Sequence, residues 1–115
     1  MLIPVNVRKE VNSVEELYVY KKIAKINGHT ISVVNAADRT LDFHVHENSD
    51  EMFFVLEGTF ELETEEGLIP VSEGEFVIVP KGTKHRPVVK ELTRFIMVEL
   101  DGTLNKKNSG NQYED

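Results

Sequence analysis

Between Leu41 and Leu100 short β-prone runs alternate with turn chemistry, and no other feature constrains the fold as much. The runs fall near 41–46, 51–57, 59–64, 68–71, 75–79, 86–90 and 93–100. The intervening "ENSD", Gly58, "EEG", "SEG" and "PKGTK" carry the small, polar and Pro residues that reversals require. Many short strands at this spacing predict an all-β chain closed into a barrel or jelly roll. Upstream, "KIAKINGHTISVV" reads as two strands around Asn27-Gly28, the pair whose left-handed preference best supports a two-residue hairpin. "NAADRT" (35–40) is a connecting loop. Residues 13–21, "SVEELYVYK", predict one short N-terminal helix, with Ser13 as cap, Glu16 three residues later, and Val14, Leu17 and Tyr18 on one face.

At 115 residues the default is one domain, here taken as residues 1–100 with a barrel core at about 41–100. The remaining 101–115, "DGTLNKKNSGNQYED", is polar and predicts a flexible C-terminal tail. With 40% hydrophobic residues the chain can fill an interior. Thirteen basic against twenty acidic residues give a net charge of -7 without a basic stripe, which argues against nucleic acid as a partner. The absence of cysteine removes disulfides, thiolate nucleophiles and thiolate metal ligands. No apolar run reaches the ~20 residues of a membrane span, and the N-terminus lacks a signal-peptide core, so a cytoplasmic location is expected.

Against this background "FHVHENSDE" (43–51) places two of the four histidines one residue apart. They are either part of an incidental polar turn or two ligands aimed at one ion. On a strand, alternation sends His44 and His46 to one face, about 7 Å apart, with Phe43 and Val45 on the other. Glu51 opens the next run, and an antiparallel return would lay it beside the pair. A carboxylate heading an otherwise apolar face needs a counter-charge, which a divalent cation supplies. Farther along, the Pro80–Thr83 reversal could return His85 to the same interior. His29 at the hairpin tip and the turn residues Glu47 and Asp50 read as solvated. Lys81, Lys84 and Arg86 flank His85 and read as a solvated turn rather than an anion site. Phe53, Val55, Phe60, Leu62 and Met97 are expected in the core.

The spacings His44-x-His46-x4-Glu51-x6-Gly58 and Gly74-x5-Pro80-x-Gly82-x2-His85 resemble the two motifs of the cupins, in order and with the short separation of small prokaryotic members. The resemblance implies a double-stranded β-helix, a jelly roll closed around a metal site. It also implies that His44, His46, Glu51 and His85 are the ligands of a divalent transition metal (Mn, Fe, Co, Ni, Cu or Zn). Two positions depart from the pattern: Asp38 stands where glycine is usual, and Val89 where asparagine is usual. Neither is a ligand position, so the departures bear on the loop leading into His44 and on the subfamily.

Three imidazoles and one carboxylate would leave a six-coordinate divalent ion two open positions, suited to a bidentate ligand, dioxygen or Lewis-acid chemistry. Two functions are therefore expected: a small metalloenzyme of dioxygenase, isomerase or decarboxylase type acting on a small organic molecule, or a non-enzymatic module that binds or senses a sugar or small acid. The other interior positions read as apolar, so no general base stands out and no catalytic residue is assigned. The 51–57 run is apolar on both faces, since Met52, Phe54 and Leu56 oppose Phe53 and Val55. A homodimer that covers the outer side is expected.

Overall fold

The computed structural model describes residues 2–103. A short helix α1 (Val7–Asn12) precedes nine strands: β1 (Lys21–Ile26), β2 (His29–Ala36), β3 (Arg39–Thr40), β4 (Glu51–Glu57), β5 (Thr59–Thr64), β6 (Gly67–Ser72), β7 (Phe76–Val79), β8 (Arg86–Val89) and β9 (Thr93–Leu100). They form two antiparallel sheets, a five-stranded one in the order β1-β2-β9-β4-β7 and a four-stranded one in the order β3-β8-β5-β6. This is the all-β double-stranded β-helix that the strand pattern and the motifs lead to. The expected tail at 101–115 lies, from residue 104 on, outside the described residues. Among the described residues no helix is long and apolar enough to cross a membrane.

The inward faces obey the two-residue period. On β9, Thr93, Phe95, Met97 and Glu99 are buried while Arg94, Ile96, Val98 and Leu100 are only partly so. On β4 the buried set is Glu51, Phe53 and Val55. All five expected core residues are buried, and Phe53, Phe60 and Phe95 meet as a triad with ring centroids 5.5–5.8 Å apart. Offset and tilted aromatic pairs at such distances add about 0.5–1.5 kcal/mol beyond their burial. The triad forms the floor on which the polar end of the barrel rests.

Three local expectations need correction. The helix is not at 13–21: Asn6 caps Val7–Asn12 by accepting from the Lys9 amide at 3.0 Å, and Ser13 is its C-cap, donating to the Glu10 carbonyl at 2.7 Å. The physical cause is tertiary. Buried Asn35 donates to the carbonyls of Val11 and Val14 at 3.0 and 2.9 Å, and Val11 is fully buried, so the segment after Asn12 is held irregular. Second, "NAADRT" is only partly a loop, because Asn35 and Ala36 end β2 and Arg39 and Thr40 form β3. Between them Asp38 has φ 49°, the left-handed conformation for which glycine is usual and which Asp tolerates better than most residues. The second departure, Val89, is simply a buried core residue. Third, 41–46 is not a continuous strand; past Thr40 its only β-bridge among the described residues joins His44 to His85.

The hairpin turns as expected at Asn27 (φ 47°) and Gly28 (φ 75°), the pair of positive angles that a type I′ turn requires.

Candidate metal centre

Three backbone hydrogen bonds and one from backbone to side chain bring the sequence-distant histidines together. His44 and His85 exchange both amide-to-carbonyl hydrogen bonds at 3.0 Å, which puts the two residues directly opposite one another. One turn further, the Gly82 amide donates to the His46 carbonyl at 2.9 Å. The Lys81 amide donates to the Asp50 carboxylate at 2.9 Å, so this exposed acid anchors the reversal that presents His85. The three rings lie with centroids 4.4–5.5 Å apart.

Glu51 joins them by a different route from the antiparallel return expected of it. Residues 47–50 carry the chain across the barrel, so Glu51 belongs to the five-stranded sheet while His44 and His85 belong to the side of β8. Its carboxylate faces the histidines across the interior, 2.9 Å from His85 Nε2 and 3.4 Å from His46 Nε2. One ligating atom from each of His44, His46, Glu51 and His85 lies within 4.8 Å of all the others, a grouping that could hold a metal ion. His46, Glu51 and His85 are buried and His44 is half-buried, so the cluster meets solvent on the His44 side.

The hydrogen bonds favour coordination. His44 Nδ1 lies 2.9 Å from the Asp42 carbonyl and His85 Nδ1 lies 2.8 Å from the Thr83 carbonyl. A carbonyl only accepts, so each Nδ1 carries the proton and each Nε2 is the atom left to face the interior. Such anchoring of the outer nitrogen is what metal-ligating histidines require. Burial pushes the His44 pKa down, which keeps it neutral. For His85 burial acts in the same direction, but hydrogen bonds to Glu51 and to the Thr83 carbonyl outweigh it and raise the pKa. Burial opposes ionisation of Glu51, yet hydrogen bonds from His46, His85 and Glu99 hold its carboxyl well below the usual range. The centre therefore contains a carboxylate that demands positive charge, met either by a proton on His85 or by a divalent ion. The residues fit a metal.

The remaining interior is not wholly apolar. Glu99 is buried at 2% exposure and hydrogen-bonded to Glu51. Tyr20 packs against the core, and its phenol is pushed above its ordinary pKa by burial and then by the negative charge of Glu51 and Glu99. It stays a neutral donor. Alternation from Phe95 and Met97 points to Glu99 on the inner face, a signal that does not by itself separate an inward acid from a solvated one at a strand end; Tyr20 precedes an edge strand and carries no comparable signal. Phe43 does not fill an opposing core face. It is 38% exposed and lies under Arg86, 4.1 Å from its ring centroid, with Lys84 at 5.3 Å. Arg86 also donates to Glu63 at 2.7 Å, which places this basic group on the outside of the barrel. The His29 ring bonds its own turn, through Nδ1 and the Asn27 carbonyl, and among the described residues it takes no part in the cluster. A polar cleft of about 190 Å³ borders His46 and is lined by Glu47, Asn48, Ser49 and residues 100–103.

Comparison with known proteins agrees with this fold. A family profile described as "Cupin domain" matches residues 31–100. The uncharacterized protein YdbB of Bacillus subtilis (strain 168) is 32% identical over 76 residues, which cover 65% of this chain and 66% of that protein. The chain thus spans just under two thirds of the length of that curated relative. Among solved structures, a cupin-2 domain-containing protein from Shewanella frigidimarina superposes with a TM-score of 0.79 at 26% identity, over 84% of this chain and 93% of the other. Protein NMB1881 from Neisseria meningitidis superposes with a TM-score of 0.77 at 24% identity, over 86% and 100% of the two chains, a likeness of fold.

Proposed function

We propose, from the premise that this chain belongs to the cupin domain family, that it is a small metal-dependent enzyme acting on a small organic molecule. In this reading His44, His46, Glu51 and His85 hold one divalent transition-metal ion. The observation that carries it is the convergence of three imidazoles and one buried carboxylate, with His44 and His85 turned to offer Nε2. When bound, the ion supplies Lewis-acid or dioxygen chemistry at positions the four residues leave open, consistent with a dioxygenase, isomerase or decarboxylase.

The chain's own residues do the rest. The Asp42 and Thr83 carbonyls hold the rings of His44 and His85 in place. Phe53, with its ring centroid 6.5 Å from that of His85, walls the centre with apolar surface and excludes water. Tyr20, neutral and partly buried, is a hydrogen-bond donor to a small polar ligand in the interior. Polar groups beyond the ligand set favour catalysis over simple sequestration. The reading also takes the protein to be cytoplasmic and a homodimer. Supporting the dimer, the outer face of β4 presents Met52 and Phe54 beside Ile78 and Phe76, which are 54% and 59% exposed on β7.

Metal analysis of the protein purified from its native cytoplasm, followed by oxygen-uptake and product assays over catechols, thiols and keto acids, tests the proposal. About one divalent ion per chain with turnover of one class supports it. Full metal retention after His46→Ala and after His85→Ala refutes the ligand set. A bound ion with saturable sugar or small-acid binding and no turnover assigns the chain to binding or sensing.

A further inference from the structure

Glu99 is a carboxyl group with no place in the four-residue cluster and no contact with bulk water. The antiparallel register that pairs Met52 with Val98 sets Glu51 and Glu99 side by side on the inner face of neighbouring strands β4 and β9. Glu99 is 2% exposed and Glu51 1% exposed, so the register buries the two carboxyl groups next to each other, and Glu99 helps to hold the Glu51 carboxyl below its usual range. On its other flank Glu99 pairs with Thr30, whose hydroxyl donates to Asp101.

Stability does not account for a glutamate here. Burying a carboxyl group costs several kcal/mol relative to water unless its hydrogen bonds are replaced. An apolar residue of the same length would fill the space between Thr30 and Glu51 without that cost. The neighbouring inward positions on β9, Met97 and Phe95, are of that apolar kind. What Glu99 adds is a polar contact to the one carboxylate that faces the three imidazoles. Carboxylates that bind metals are themselves held by hydrogen bonds, and those outer partners govern how well the inner group is aimed.

We propose that Glu99 is the outer carboxyl of the centre: it fixes Glu51 in the orientation that faces His44, His46 and His85, and so sets the affinity for the ion. It is a positioning residue. The inference rests on the metal-binding reading above and deepens it by adding a fifth residue that does not touch the ion. Because two carboxyl groups share a hydrogen bond only when one of them donates a proton, glutamine, with an amide donor in the same outline, can replace Glu99. Methionine fills the outline but cannot donate. Aspartate keeps the carboxyl but falls one methylene short of Glu51.

The test is a cobalt(II) titration of the full chain, read by the visible absorption of the bound ion. Glu99→Gln should keep the wild-type spectrum and an affinity within about threefold. Glu99→Met and Glu99→Asp should each bind cobalt about 10–100-fold more weakly, with an altered spectrum. Over the same series the melting temperature of the metal-free Met variant should equal or exceed that of the wild type, which a merely structural role for Glu99 would not allow. If Met misfolds, Asp decides. Wild-type affinity in the Met or Asp variant, or a Gln variant as weak as Met, overturns the inference. Failure of the wild type itself to take cobalt overturns the metal centre and the inference together, whereas equal binding by all four proteins removes only the role of Glu99.

Discussion

Gly58 stands at the junction of β4 and β5 with φ +90°, and a Cβ there would lie 2.5 Å from the Leu92 carbonyl oxygen and 3.1 Å from Thr93 Cα. Both obstacles are backbone, so no side chain can swing away. Gly58→Ala therefore incurs two separable costs. Holding a non-glycine residue at such an angle costs about 1–2 kcal/mol, and forcing packed backbone apart adds about 1–3 kcal/mol. Gly74 provides the control: its φ is +83°, but nothing lies within 4 Å of an added Cβ. Gly74→Ala should lose only the conformational part. Urea unfolding of the metal-free proteins at equal slope separates the two. We expect Gly58→Ala to lose about 2–5 kcal/mol, a large share of the 5–15 kcal/mol typical of a domain, and Gly74→Ala about 1–2 kcal/mol. Equal losses in the two variants would refute the reasoning, since they would show that the close approach of Leu92 has no energetic consequence.

Melting temperature against pH, with and without saturating zinc, should give curves that diverge as pH rises. In the metal-free protein the raised pKa of His85 contributes stability that is complete below about 6.5 and lost as pH climbs through the raised value. The depressed pKa of Glu51 contributes stability that is present above about 4.3 and lost as pH falls through the lowered value. Bound zinc requires neutral imidazoles, so its effect grows over the range in which His85 loses its proton; a gap that stays constant with pH counts against the coupling. Phe54→Glu combined with Phe76→Glu should turn a dimer into a monomer by light scattering, and a wild-type monomer at micromolar concentration disposes of the interface altogether. Asn35→Ala removes one hydrogen bond each from the Val11 and Val14 carbonyls and from Arg94 Nη1, and should cost about 1–3 kcal/mol by denaturant titration; a loss under about 0.5 kcal/mol would show that water replaces it.

The long-range layout was legible because it depends on residue type at fixed period. Phe53 and Val55 on β4, and Phe95 and Met97 on β9, alternate as any half-buried strand must, and the same alternation carries Glu51 and Glu99 inward. Reading the interior as apolar apart from the histidines and Glu51 missed Glu99, because a lone acid near a strand end is usually solvated. Whether it turns inward into a polar neighbourhood depends on Glu51 being next door, which is a matter of register between strands far apart in sequence. The N-terminal helix was misplaced for the opposite reason. Ser13 and Glu16 have the local chemistry of a cap, but Asn35 captures the carbonyls around them, and a buried amide with two good acceptors outweighs a propensity of a few tenths of a kcal/mol. The route of Glu51 was equally hidden. "ENSD" signals a turn without saying whether the chain returns along the same sheet or crosses to the other.

That crossing has a mechanical consequence. His85 sits at the head of β8 on one sheet and Glu51 on β4 of the other, so an ion shared between them ties the two layers across the barrel at one end. A cysteine-free chain has no covalent staple, and the coordination bonds would take that place. By loop-closure arithmetic, joining two residues about 35 positions apart is worth about 4 kcal/mol through the unfolded chain alone. Chelation should then act on this protein as reduction acts on a disulfide-linked domain. Backbone amides near His44 and His85 should exchange with solvent much sooner, while those beneath the Phe53, Phe60 and Phe95 rings stay protected.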